Sequence, residues 1–149
     1  MASFGHSPNI MQNIISKIPT QKEVQFLEDR IYEHNAVKIN RDDGKLFSKL
    51  IQDSGNNIIA GIAGWTWAGA CEITQLWVNE EYSKKGYGRA LLDAAEAEAK
   101  KEKCKSILVR TYSFQAPGFY QKHGYTVEYE INDFPNGHRY FCLIKRLIE

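Results

Sequence analysis

The sequence lacks any apolar run long enough to cross a bilayer, and its start lacks the basic and apolar regions of a signal peptide. It also lacks a surplus of either charge, since 19 Lys and Arg face 18 Asp and Glu, so the basic excess typical of nucleic-acid binders is missing. The three cysteines, Cys71, Cys104 and Cys142, show no metal-site spacing. They lie within or beside apolar runs, which favours buried free thiols and a reducing cytoplasm. These absences predict a cytoplasmic protein without metal, membrane or nucleic-acid partners.

The size and composition of the chain suit one globular domain. Its 149 residues are enough to bury a core, and 43% of them are hydrophobic. Residues 1–9 read as a flexible tail, and residues 10–149 as one domain.

The first part of the chain predicts a strand and a helix. The isoleucines between Ile10 and Lys17 suggest a short strand. Thr20 and Glu23 have the spacing of a capping box, which starts a helix that runs to about His34. Apolar residues recur on one side of this helix at spacings of three and four, at Val24, Leu27 and Ile31.

The rest of the chain predicts a mixed sheet. Strands are expected at Leu46–Gln52, Ile58–Trp67, Cys71–Val78, Ser106–Thr111, Tyr125–Ile131 and Tyr140–Leu147, with helices at Ala90–Lys100 and Gln115–His123. The first two strands form a hairpin. The strand–helix–strand order around Ala90–Lys100 implies a parallel βαβ unit with a right-handed crossover. The expected fold is α/β, a mixed and mostly antiparallel sheet with helices on both faces.

The segment between the third strand and the next helix has the features of an anion site. It reads Ser83-Lys84-Lys85-Gly86-Tyr87-Gly88-Arg89-Ala90. Glycine lets the backbone approach a ligand closely, and the first N–H groups of a helix have no internal partner. The helix dipole and the nearby cations both favour negative charge. A phosphate-bearing ligand is predicted here.

This turn matches neither the dinucleotide fingerprint, because Leu91 stands where a third glycine is needed, nor the Walker motif. The strand, glycine turn and helix instead resemble the acetyl-CoA-binding motif of the GNAT superfamily of N-acetyltransferases, Q/R-x-x-G-x-G/A. Ser83 replaces the family's Gln or Arg. The resemblance covers nearly the whole chain beyond the tail and implies the GNAT fold.

The resemblance implies where acetyl-CoA would bind. The turn residues Lys84, Lys85, Gly86, Tyr87, Gly88 and Arg89 would hold the pyrophosphate, and the backbone of Leu76, Trp77 and Val78 would pair with the pantetheine arm. The segment from Ser113 to Tyr125 is similar to the second family motif, N-x-x-A-x-x-F-Y-x-x-x-G-F/Y, and Ala116 and Tyr120 match it. Ser113 departs from the family's Asn and keeps only one possible hydrogen bond to the arm.

Acetyl transfer to an amine needs a base, a donor to the developing oxyanion and an acid. Tyr120 is the candidate acid, since the family's tyrosine commonly protonates the leaving thiolate; the alternative is a packing tyrosine. Glu72 is the candidate base, because it is an acid inside an apolar strand and histone-type relatives place a glutamate at a similar offset. The alternative is that Glu72 starts its strand at the surface.

Residues that contact the acceptor are predicted from aromatic and loop positions. Trp65 and Trp67 share one face of their strand, where they form either an aromatic wall for a cationic amine or ordinary packing. Asp133, Phe134 and His138 lie in a loop that folds over the acceptor or is only a solvated turn.

The sequence therefore predicts an N-acetyltransferase that moves the acetyl group of acetyl-CoA to a primary amine, by direct attack in a ternary complex. The small size favours a small-molecule acceptor. A non-catalytic acyl-CoA-binding module of the same fold is the alternative, supported by Ser83 and Ser113, and a purely structural α/β protein is a weaker one. A homodimer is common for this kind of fold.

Overall fold

The structure is a computed structural model that describes residues 13–147. The chain divides into two compact units, residues 1–40 and residues 41–149. The predicted tail at residues 1–9 and the start of the predicted first strand lie outside the described residues.

In the described part of the first unit, residues 13–40, the α-helix is α1, Gln21–Ile39. Its start confirms the predicted capping box, because the Thr20 side chain accepts from the Glu23 N–H while the Glu23 carboxylate accepts from the Thr20 N–H. The predicted end at His34 was too early, since no breaker occurs before Asn40, which ends the helix at a left-handed φ of 55°. The strand predicted up to Lys17 is wrong in its described part, because residues 14–20 form no regular structure. The predicted apolar side of α1 is exposed, with Ala36 as the helix's buried residue.

The described residues of the second unit, 41–147, form a six-stranded sheet with two α-helices. Its elements are β1 (Lys45–Gln52), β2 (Ile58–Trp67), β3 (Ala70–Val78), a short 3-10 turn (Glu80–Tyr82), α2 (Tyr87–Lys101), β4 (Ser106–Tyr112), α3 (Pro117–Lys122), β5 (Thr126–Asn132) and β6 (Arg139–Arg146). The strand order is β1-β2-β3-β4-β6-β5. Only the β3–β4 pair is parallel; the other neighbours are antiparallel. The predicted hairpin and βαβ unit are confirmed, and so is the mixed sheet.

Two of the predicted boundaries shift at the functional end of the sheet. Helix α2 begins at Tyr87, earlier than the predicted Ala90, because Gly86 serves as its N-cap with φ of 84°. Gly88 therefore lies inside the first turn of the helix and not in the loop before it. Gly124 ends the region of α3 as predicted, with φ of 91°.

Helix α2 anchors the core. Leu92, Ala95 and Ala99 on one side of α2 are fully buried, in the same cluster as Ile107 and Leu143 of the sheet and as Tyr120 and Tyr125. One charge is buried with them: Glu96 accepts a hydrogen bond from the Tyr125 hydroxyl at 3.1 Å and pairs with the Lys145 ammonium at 2.9 Å. A buried carboxylate is stable only with such partners. The core thus holds α2 against the sheet.

Candidate active site

Strands β3 and β4 part in the middle of the sheet. They pair from Ala70–Ser106 to Ile73–Val109, and then run on separately to Val78 and Tyr112. The β2–β3 register shifts between Ala63 and Gly64, which leaves Thr74 as an extra residue in β3. Such a bulge bends the strand that carries it. The backbone of β3 beyond Thr74 therefore faces a gap, where its N–H and C=O groups can pair with an extended ligand.

A cavity of about 650 Å³ fills this gap and extends to the start of α2. It is lined by β3, the glycine turn, β4 and α3. Ten of its lining residues were predicted from the sequence: Leu76, Trp77, Val78, Lys84, Gly86, Tyr87, Gly88, Arg89, Ala116 and Tyr120. The tertiary structure thus brings the predicted coenzyme residues and the predicted acid into one cavity.

The glycine turn fits a phosphate group. The first turn of α2 carries no acidic residue, and no side chain caps its N–H groups. A Cβ built on Gly86 would have no atom within 4 Å, so the space beside this backbone is open. Gly88 lies where α2 packs against α3, and a Cβ built there would make ordinary contact with the Phe119 ring at 3.4 Å. The turn therefore offers free amides and open space at the positive end of a helix.

The cations of the turn do not all reach the cavity. Lys84 and Arg89 line it. Lys85 is absent from the lining, and its ammonium lies 5.3 Å from the centre of the Tyr82 ring. Arg89 approaches Asp93 only at 4.0 Å with both side chains exposed, so this weak pair leaves its charge available.

Tyr120 reaches the cavity from α3. Its side chain is 6% exposed, and Phe119 and Tyr125 pack edge-on against its ring. Burial raises the pKa of the Tyr120 phenol to about 12, because the ionised form loses its hydration. The phenol therefore keeps its proton throughout the neutral range and can donate it.

Glu72 lies within β3 and not at its start, and its side chain is 17% exposed. A carboxylate oxygen lies 3.5 Å from the Arg110 guanidinium of β4. The proximity of Glu72 raises the pKa of Arg110. Glu72 does not line the cavity, whereas Arg110 does, so Arg110 connects the glutamate to the cavity wall.

Ser113 is not brought to the cavity. Its N–H donates to the Arg139 carbonyl at 2.8 Å, and its hydroxyl accepts from the Arg139 N–H at 3.0 Å. Gln115 lines the cavity instead, held by hydrogen bonds from the Tyr112 N–H at 2.8 Å and the Thr111 hydroxyl at 3.2 Å. The serine that replaces the family's asparagine therefore joins the turn after β4 to the start of β6.

The predicted acceptor residues also lie outside the cavity lining. Trp65 is the register partner of Glu72, as expected for neighbouring strands, and the Trp67 indole donates to the Arg41 carbonyl at 2.8 Å. The Asp133 carboxylate accepts from the Gly137 N–H within the β5–β6 loop. Phe134 packs 5.3 Å from Tyr140 between ring centres.

The sequence motifs missed several lining residues. Arg110 carries the signal that identified Glu72, a charge inside an apolar strand, and that signal could have found it. Thr74 and Gln75 have no such signal, because the parting of the strands places them there, whereas Phe119 belongs to the second family motif.

Two further features of the described residues bear on the site. The three cysteines are buried free thiols, as predicted, and desolvation raises the pKa of Cys71 to about 12. Between residues 13 and 147, no helix has the length and apolar character needed to cross a membrane.

Comparison with known proteins identifies relatives of this chain. Residues 11–125 match the family model described as "Acetyltransferase (GNAT) family". A blasticidin-S acetyltransferase of Streptomyces morookaense is 38% identical over 90 residues, which cover 60% of this chain and 64% of that protein.

Solved structures show the same fold. An acetyltransferase of Bacillus cereus has a TM-score of 0.73 at 30% identity, covering 93% of this chain and 100% of that one. A streptothricin acetyltransferase of Bacillus anthracis, solved in complex with acetyl coenzyme A, has a TM-score of 0.61 at 19% identity, covering 69% and 63%; at that identity the likeness shows the fold alone. The family model spans most of the sequence and confirms the predicted GNAT resemblance. This chain therefore belongs to the acetyltransferase (GNAT) family of enzymes.

Proposed function

We propose that this protein transfers the acetyl group of acetyl-CoA to a primary amine of a small molecule, by direct attack in a ternary complex. The observation that carries the proposal is the single cavity in which the parted strands, the uncapped start of α2 and the buried phenol of Tyr120 meet.

The donor would lie along this cavity. The amides after Gly86, with Lys84 and Arg89, would hold the pyrophosphate, since free helix amides and cations favour an anion. The backbone of Leu76, Trp77 and Val78 would pair with the pantetheine arm as an added strand does. Acetyl-CoA supplies the activated acetyl group and a thiolate leaving group.

The proton transfers are assigned to two side chains. Tyr120 would protonate the departing thiolate, because its raised pKa keeps the phenol neutral until that proton is needed. Glu72 would accept the proton of the attacking amine, with Arg110 fixing the carboxylate at 3.5 Å. No cysteine carries the acetyl group in this scheme, since all three are buried thiols.

The Streptomyces relative supports a small-molecule acceptor. It is 38% identical over 90 residues and is named for blasticidin S. All the residues that line the cavity lie between residues 73 and 120, within one compact unit. An antibiotic-like amine is therefore the first class of acceptor to screen.

Acetyl-CoA at a hundred times its Kd should stabilise the folded protein by about 2.7 kcal/mol, because a ligand that binds only the native state shifts the unfolding equilibrium. Thermal unfolding of the purified chain should then show a rise in Tm of roughly 8 °C. CoA should give a similar rise, and NAD and ATP should give none. A rise with NAD or ATP alone would contradict the assignment of the cavity.

Glu72→Gln should lower turnover most near neutral pH and less at high pH. A primary amine with pKa near 10 is mostly protonated at pH 7, so it needs a base there, whereas its free form accumulates as the pH rises. The measurement is thiol release from acetyl-CoA between pH 7 and 10. A loss of equal size at every pH would assign Glu72 a structural role.

The alternative is an acyl-CoA-binding module without transferase activity. The engagement of Ser113 with Arg139 favours it, because this side chain is then not directed to a coenzyme. Such a module would show the thermal shift with acetyl-CoA and CoA but would release no thiol with any amine.

A further inference from the structure

A group of aromatic side chains surrounds the end of β4, outside the core. The ring centres of Tyr112 and Phe114 lie 5.2 Å apart with an interplanar angle of 4°, and those of Tyr112 and Tyr140 lie 4.6 Å apart. Phe134 contacts Tyr140 at 5.3 Å, and His138 meets Phe114 edge-on at 5.1 Å. These residues, called the aromatic cluster here, form one continuous chain of ring contacts.

The outer rings of the aromatic cluster contribute little to the core. Phe114 is 59% exposed and Phe134 is 50% exposed. Each therefore keeps a large apolar surface in water that a bound molecule can cover. Contact within the cluster already orders these rings, so a ligand would meet a prepared surface.

Hydrogen bonds hold the cluster in place. The Gln115 N–H donates to the Tyr112 carbonyl at 2.9 Å and closes the turn that carries Phe114. Ser113 and Arg139 bond reciprocally across this turn and the start of β6. This bracing gives Ser113 a role that explains why its side chain does not face the cavity.

The cluster adjoins the cavity. The turn from Tyr112 to Phe114 lies between two segments that line the cavity, Arg110–Thr111 before it and Gln115–Ala116 after it. Tyr112 also lies on the same face of β4 as Arg110, since residues two apart share a face, and Tyr140 is its register partner. The aromatic surface and the Glu72–Arg110 pair therefore lie on one side of the sheet.

We propose that the aromatic cluster is the subsite for the body of the acceptor, and that the preferred acceptors are amines carrying a flat, unsaturated ring. Such a ring stacks on Phe114 and Phe134 while its amine reaches towards Glu72. This inference rests on the proposed function, because it assigns the acceptor class of the same site. Aromatic faces prefer flat partners in offset or edge-on contact over saturated rings of the same size.

A matched pair of amines tests this preference. 2-Phenylethylamine and 2-cyclohexylethylamine differ in the flatness of the ring and not in the position of the amine. With acetyl-CoA as donor, kcat/KM measured by thiol release should be about fivefold higher for the phenyl amine, the factor expected from a typical aromatic pair. Phe114→Leu and Phe134→Leu should each reduce this preference towards unity, because leucine keeps an apolar side chain but loses the flat face.

Ile58→Ala is the control, since Ile58 is an exposed apolar residue of the same unit, 49% exposed at the start of β2, and lies outside the cluster. It should keep the fivefold preference, and thermal unfolding should show that all three variants are folded. Equal kcat/KM for the two amines, or a preference that survives both cluster variants, would overturn the proposal.

Calorimetry separates this inference from the proposed function. If neither amine is acetylated, each is titrated into the protein saturated with CoA. Tighter binding of 2-phenylethylamine, lost in Phe114→Leu, would support the subsite even though transfer had failed. Equal binding of the two amines, or no binding of either, would overturn it.

Discussion

Replacing Tyr120 with phenylalanine is expected to lower kcat for acetyl transfer by about 100- to 1000-fold, with the KM for acetyl-CoA changed by less than about threefold. Loss of a positioned general acid has an effect of this size, whereas the ring that lines the cavity is kept. The wild-type rate should show no decline from tyrosine ionisation up to about pH 11, because burial raises the pKa of Tyr120 to about 12. The loss of kcat and the pH dependence of the wild-type rate are both measured by thiol release. The pH dependence is measured in stopped assays, which limit alkaline unfolding.

Tyr125→Phe is the matched control for this prediction. Tyr125 is also a buried tyrosine, and its ring packs against Tyr120 with centres 5.7 Å apart, but it does not line the cavity. Its hydroxyl donates to the buried Glu96, so this variant should lose about 1–2 kcal/mol of stability while kcat stays within about twofold. Equal losses of kcat in the two variants would show that Tyr120 serves packing and not proton transfer.

Replacing Gly64 with alanine is expected to destabilise the protein by about 3 kcal/mol, the upper part of the range for overpacking. A Cβ at Gly64 would collide with the Glu72 carbonyl oxygen, which is backbone, and would lie 2.9 Å from the Phe47 ring. Because the carbonyl oxygen cannot move without shifting β3, the collision acts on the bulge where β3 turns from β4. Thermal unfolding should show Tm lower by roughly 10 °C. The shift caused by acetyl-CoA should shrink as well.

Gly61→Ala tests whether the effect is specific to the bulge. Gly61 lies on the same strand, and its added Cβ would meet the Leu50 methyl group at 2.8 Å. Leu50 is 54% exposed, so its side chain can move aside and the loss should stay within about 1 kcal/mol. Equal stability of the two variants would mean that the backbone at Glu72 yields more easily than the structure indicates.

These predictions depend on features that differ in how visible they are in the sequence. Tyr120 was found from a motif, because its neighbours Ala116, Phe119 and Gly124 have fixed spacing along the chain. No sequence pattern indicates that Gly64 must be glycine. The constraint comes from the Glu72 carbonyl on the next strand, which leaves no room for a Cβ. Lys85 was assigned to the ligand on its position in the turn, but its side chain lies over Tyr82. Backbone position within a motif is local, whereas the direction of a long side chain depends on its neighbours in space.

Local sequence patterns were enough to predict the elements of the sheet unit, the capping box of α1, the glycine turn and the parallel βαβ unit. Capping, turn formation and hydrophobic periodicity act over a few residues, so they can be read along the chain. Other features became visible only in the folded chain: the point where β3 and β4 part, the pairing of Arg110 with Glu72, the bonds of Ser113 to Arg139, and the meeting of aromatic rings from separate segments beside the cavity. These depend on register and on contacts between residues far apart in sequence, and no local pattern specifies such contacts.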